Sequence, residues 1–130
     1  MTREVQIIPF GPGLAEGVAA ACSELGWPSY ADPDVAARGC SAPGVTTRVA
    51  LADQAVVGFA QVLSDGVVQA YLAQIGVLEP WRRQGIATKL IEAAFGACGA
   101  QRVDLLTDDA QGFYRSFDHK EKAGFRIYPG

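Results

Sequence analysis

The stretch that most restricts this chain is an apolar strand over residues 67–78 that runs into Glu79-Pro80-Trp81-Arg82-Arg83-Gln84-Gly85 and then into a helical pattern from Ile86. Proline lacks the N–H that a ladder needs, so the strand must stop there. Beyond the turn, Ala87, Leu90, Ile91, Ala94 and Cys98 recur at helical spacing until Gly99 can close the helix. A strand, a tight turn and a helix start in that order outline an anion site. The first N–H groups of the helix have no partners within it, and its dipole places about half a positive charge at that end. A phosphate fits there. Gly85 allows positive φ or a close ligand approach, Ala87 keeps the second approach point small, and Arg82 and Arg83 add charge.

The rest of the chain supplies elements around that stretch. Val5 and Ile7 before Pro9 suggest a short first strand, punctuated by Gly11-Pro12-Gly13. Leu14, Val18, Ala21, Cys22 and Leu25 share one helical face that ends near Gly26. Asp32 has the chemistry of an N-cap, with Pro33 at the first helical position of a short helix closed by Gly39. Three strands are expected over 46–52, 56–63 and 67–78, joined by turns at Asp53-Gln54 and Asp65-Gly66, which makes an antiparallel meander. After the Gly85 helix come a strand over 103–106, a helix over 110–117 capped by Asp108 or Asp109, and a last strand over 125–128. The helical crossover from the 67–78 strand to the 103–106 strand makes those two parallel neighbours.

Bulk properties narrow the function. A chain of 130 residues reads as one domain, with 49% hydrophobic and 19% charged residues, an ordinary globular mixture. A net charge of −3 argues against a nucleic-acid partner and tilts towards a cationic substrate. The charged start Met1-Thr2-Arg3-Glu4 and the apolar stretch broken by Pro9 do not read as a secretory signal. No apolar run reaches the roughly 20 residues of a membrane span. Three cysteines, Cys22, Cys40 and Cys98, without CxxC spacing suggest reduced thiols and a cytoplasmic location, and with a lone His119 no metal site is expected. No Gly-Lys-Ser/Thr follows the strand, which counts against a nucleotide P-loop.

Arg82-x-x-Gly85-x-Ala87 resembles the first signature of the GCN5-related N-acetyltransferase (GNAT) family, Gln/Arg-x-x-Gly-x-Gly/Ala after a strand and at the head of a helix. Ala110-x-x-Phe113-Tyr114 is similar to the second, Ala-x-x-Phe-Tyr. The order of elements also fits, so the resemblance implies a mixed α/β fold: a central, mostly antiparallel sheet with a parallel, splayed strand pair and helices on both faces. It implies acetyl-CoA as cosubstrate, with the N–H groups of Arg83, Gln84, Gly85, Ile86, Ala87 and Thr88, aided by Arg82, on the pyrophosphate. It places backbone groups of Ile75, Gly76 and Val77 on the pantetheine arm and against the thioester carbonyl, where negative charge grows during transfer. It makes Tyr114 the acid that protonates the departing thiolate, reasonable for a phenol of pKa near ~10 facing a thiol near ~8.5. The function implied is transfer of an acetyl group to a small-molecule or peptide amine by direct attack in a ternary complex; the alternative is a non-catalytic acyl-CoA-binding module.

Other residues leave alternatives open. Gly76 fits a bulge, a close backbone contact or simple room for a neighbouring side chain. Thr107 stands where the family often has asparagine, and the charged connection over 115–123 before Gly124-Phe125 is longer than usual, either a cover for the acceptor site or a solvated loop. The strand position where some members carry a carboxylate base is Gln74, so no base is identified. Trp27, Tyr30 and Asp32 could form an acceptor pocket for a cationic amine, or serve the core and a cap. A homodimer is compatible with a small domain that has a free sheet edge.

Overall fold

The computed structural model describes residues 4–130, so the charged start over 1–3 lies outside it. Five strands, β1 (Gln6–Pro9), β2 (Val45–Ala52), β3 (Ala55–Ser64), β4 (Gln69–Val77) and β5 (Arg102–Asp104), form one sheet in sequence order. The first three pairings are antiparallel and β4 pairs with β5 in parallel. The β2–β3 hairpin turns at Asp53 and Gln54, both at positive φ (49° and 67°), the twist a two-residue hairpin needs.

Helices cover both faces, as the spacing of apolar residues requires. Helices α1 (Ala15–Leu25) and α2 (Pro33–Cys40) bury Val18, Cys22 and Ala36 against Val49 and Phe59. Asp32 caps α2, accepting the Asp34 N–H at 2.8 Å. Helix α3 (Ile86–Ala97) buries Leu90, Ile91 and Ala94 against Ala50, Ala60, Val62 and Leu72 on the other face. A short α4 (Gln111–Tyr114) follows β5.

Several boundaries differ from the sequence expectation for local reasons. Strand β4 begins at Gln69 because the Asp65 carboxylate accepts the N–H groups of Val67 (2.8 Å), Val68 (2.8 Å) and Gln69 (3.2 Å), holding those residues in a turn. The same bonds hold the Asp65 carboxyl below its ordinary pKa. Helix α4 is one turn rather than two. Its entry is held by Thr107, whose Oγ1 accepts the Ala110 N–H at 3.0 Å, not by Asp108 or Asp109. The strand expected over 125–128 does not form: those residues are irregular, with Phe125 85%, Ile127 80% and Tyr128 81% exposed. Alternating apolar side chains make a strand only where a face receives them, and β5 is three residues long.

The three cysteines are free and buried. Burial, with Cys40 nearby, pushes the Cys22 thiol up to about 11. Iodoacetamide near neutral pH is therefore expected to leave Cys22 unmodified in the folded protein and to label it on unfolding; labelling at the rate of a free thiol in native buffer would contradict this packing.

Candidate active site

The splay between β4 and β5 creates the site. Their pairing covers only Gln69, Ala70 and Tyr71 against Arg102, Val103 and Asp104. From Leu72 to Val77, β4 keeps its ladder to β3 but has no strand on its other side. A bulge marks the parting: Gln74 faces Gln61 and Leu72 faces Val62, so Ala73 is the extra residue. The bulge is thus three residues before Gly76. At Gly76 a Cβ would lie 2.6 Å from the Trp27 ring and 2.8 Å from Leu25, so this glycine makes room for neighbouring side chains.

The β4–α3 turn is held from within. Arg82 Nε donates to the Val77 carbonyl at 2.9 Å, Arg83 takes a positive φ of 62°, and Gly85 sits at φ 79° as the residue before the helix. Lys89 N–H reaches back to the Gly85 carbonyl at 3.1 Å. The N–H groups of Ile86, Ala87 and Thr88 therefore head α3 without a side-chain cap or an acidic residue in the first turn. That end is open to an anion.

These pieces border one cleft of about 490 Å³, lined by Leu25, Trp27, Ile75, Gly76, Val77, Trp81, Arg82, Arg83, Gly85, Ile86, Ala87, Thr88, Ala110, Phe113 and Tyr114. Ile75, Gly76, Val77, Arg82, Arg83, Gly85, Ile86, Ala87, Thr88 and Tyr114, scattered over the expected donor site, are thereby brought together. Gln84 is not; its Nε2 donates to the Pro80 carbonyl at 3.4 Å. Tyr114 stands edge-on to Phe113 (ring centroids 5.1 Å) at the far wall. Partial burial pushes its phenol above the ordinary value, which keeps the proton on.

Of the suggested acceptor residues, only Trp27 lines the cleft, with its ring edge-on to Phe59 at 6.2 Å. Tyr30 turns inward to accept a hydrogen bond from Gln61 at 2.9 Å, and Asp32 is spent on its cap. His119 lies exposed in the 115–123 connection, where its Nδ1 is 2.8 Å from the Phe117 carbonyl and Glu121 pairs with Arg115, so that connection is a solvated loop. A separate hollow of about 260 Å³ between Phe10, Cys40 and the start of β2 gathers no comparable group of side chains. The sequence reading missed Gln61, which is 2% exposed at a core-facing position of β3. Its signal was a lone amide inside Val56-Val57-Gly58-Phe59-Ala60-Gln61-Val62, one alternation from Phe59.

A family model for the acetyltransferase (GNAT) domain matches residues 43–121, more than half of the chain and the whole of this cleft except its α1 side. The chain belongs to the GNAT acetyltransferase family. It is accordingly an acyltransferase by family. Solved structures share the fold at low identity. A GNAT-family acetyltransferase from Streptococcus pneumoniae TIGR4 is 24% identical, with 98% of this chain and 100% of that one covered at a TM-score of 0.75. The ribosomal-protein-alanine N-acetyltransferase of Brucella melitensis biovar Abortus 2308 is 18% identical over 97% and 99% of the two chains, TM-score 0.76. An aminoglycoside N-acetyltransferase solved in complex with CoA is 18% identical over 100% and 98%, TM-score 0.74. No curated protein matches the chain. Among the described residues no helix is long and apolar enough to cross a membrane, and no group of His, Cys, Asp or Glu could hold a metal ion.

Proposed function

We propose that this GNAT protein transfers the acetyl group of acetyl-CoA directly to a primary amine, small or peptide-borne, in a ternary complex. The supporting observation is the convergence on one cleft of an uncapped helix start, a half-unpaired strand and a protonated phenol. In this reading the N–H groups at the head of α3, with Arg82 and Arg83, receive the pyrophosphate. Arg82 can hold the turn through Nε and still offer its remaining guanidinium N–H groups outwards. Backbone groups of Ile75, Gly76 and Val77 line up the pantetheine arm. Acetyl-CoA supplies an activated acyl group, and Tyr114 donates its proton to the departing sulfur. A cytoplasmic location belongs to the same proposal, supported by three unpaired buried thiols.

Gln74 stands at the strand position where some members of the family carry a carboxylate base, and an amide cannot take up a proton at any working pH. In this reading the amine arrives neutral rather than losing its proton through water to a carboxylate such as Glu24, Asp32, Asp34 or Asp65, and holding it beside the thioester supplies much of the acceleration. Mass spectrometry of an amine panel incubated with acetyl-CoA is expected to show acetylated products. The acid limb of kcat/KM should move with the pKa of each amine used. CoA binding without acetylation of any amine would leave the acyl-CoA-binding module as the reading; an acid limb at one pH for every amine would point to a base on the protein.

A further inference from the structure

The cleft runs past the unpaired edge of β4, and its walls on the two faces of the sheet differ. Ile75 and Val77 pack on the α3 face, with Phe113 and Tyr114. Gly76 between them faces α1, and of the lining side chains only Leu25 and Trp27 come from that face. They occupy the place of the missing side chain: a Cβ on Gly76 would lie 2.6 Å from Trp27 Cη2, 2.9 Å from its Cζ3 and 2.8 Å from Leu25 Cδ1. The indole therefore rests directly on the backbone of β4. This wall is fixed from behind. Helix α1 ends at Gly26, which takes φ 78°, and the Trp27 N–H then closes on the Cys22 carbonyl at 2.9 Å. Its ring stands edge-on, at 6.2 Å, to a fully buried Phe59. Moving Trp27 would break the end of α1 and open the core.

The chemistry of this wall is one-sided. The charged side chains in the lining, Arg82 and Arg83, both belong to the β4–α3 turn, so the α1 face offers only hydrocarbon and an aromatic ring. A carboxylate placed there would lose its water without gaining a partner. With the pyrophosphate at the head of α3 and the sulfur beside Tyr114, the acyl carbons lie beyond the sulfur, across the edge of β4. We propose that Trp27, with Leu25, is the wall on which the acyl chain ends, so that the protein takes short uncharged acyl groups and refuses longer or carboxylated ones. This rests on the acetyltransferase reading above and adds to it a limit on the acyl donor, which the two sequence signatures do not set.

The test is isothermal titration of acetyl-, hexanoyl- and succinyl-CoA into the full chain, with turnover of the same donors on an amine panel. The parent should bind hexanoyl-CoA and succinyl-CoA about tenfold or more weakly than acetyl-CoA, the size of penalty that surplus methylenes meet in a closed pocket. Trp27→Ala should bring the hexanoyl-to-acetyl ratio of Kd down to about one. Leu25→Ala, which keeps the indole on Phe59, should move the ratio the same way by a smaller step, and it carries the test if Trp27→Ala does not fold. A parent that binds hexanoyl- or succinyl-CoA within about twofold of acetyl-CoA overturns the proposal, as does a parent ratio retained in both variants. A length limit relaxed by these variants in a protein that acetylates no amine would sink the transfer reading and leave the wall standing. Acetylation with no length limit would do the reverse.

Discussion

Tyr114→Phe is expected to lower kcat by about 10²- to 10⁴-fold, the range that a positioned general acid supplies, while leaving the affinity for CoA within twofold. The substitution removes one oxygen and keeps the ring that stacks edge-on with Phe113 and packs at the rim of the α3 core, so folding should be unaffected. Burial raises the phenol above its ordinary value of about 10, which gives a second expectation with a definite sign. The acid must be protonated to act, so kcat should hold on the alkaline side until the raised pKa is passed and fall beyond it. Steady-state kinetics of parent and variant across pH decide both points. An unchanged kcat in Tyr114→Phe would remove Tyr114 from the chemistry, and an alkaline limb well below the value of a free phenol would assign that limb to another group.

Gly76→Val is the second large effect. A Cβ alone at this position would come within 2.6 Å of the Trp27 ring and 2.8 Å of Leu25, closer than carbon atoms approach, and the two γ-methyls worsen the overlap. Either Trp27 leaves its place against Phe59 or β4 bends away, and both line the cleft. Overpacking of this kind costs about 1–3 kcal/mol of stability. A shift of about 1 Å in the strand should also cut kcat/KM for acetyl-CoA on the order of 10²-fold. Gly96→Ala serves as the control, since it lies exposed in α3 with nothing within 4 Å of the added carbon. That change should be neutral or stabilise by about 0.5–1 kcal/mol. Denaturant melts of the two variants, with isothermal titration of CoA, would show the contrast; equal stability and equal CoA affinity would mean that β4 and Trp27 yield more easily than their packing implies.

The turn from β4 into α3 was legible because its information is local. Pro80, Gly85 and the apolar spacing after Ile86 determine where a strand stops, where the backbone turns left-handed and where a helix starts, and each of those is decided within a few residues. The hairpin at Asp53-Gln54 and the cap at Asp32 were readable for the same reason. Errors fell where a side chain outbid the local pattern. Val67 and Val68 have strand propensity, yet the Asp65 carboxylate holds their N–H groups. Phe125, Ile127 and Tyr128 alternate as a strand should, yet β5 offers them no long edge.

The residues suggested for an acceptor pocket follow the opposite logic. Tyr30 and Asp32 sit near Trp27 in the sequence and could all have faced a substrate, but the Gln61 amide draws Tyr30 into the core and α2 uses Asp32. A relay of hydrogen bonds from Gly39 through Gln61 to Gln74 joins residues 22 and 13 positions apart, so no window of the sequence contains it. The bulge at Ala73 is equally invisible locally, since it arises from the register between two strands.

What the sequence determined by itself was the β4–α3 turn, the helix behind it, the meander and the family, because caps, breakers and hydrophobic period act between near neighbours in the chain. Only the tertiary structure decided that β4 and β5 part after Tyr71, that Gly76 gives way to Trp27, and that the Gln61 amide reaches Tyr30 and the Gly39 carbonyl of α2. Those depend on which side chains meet across the sheet, and hydrogen-bond donors and excluded volume select their partners in space, whatever their distance along the chain.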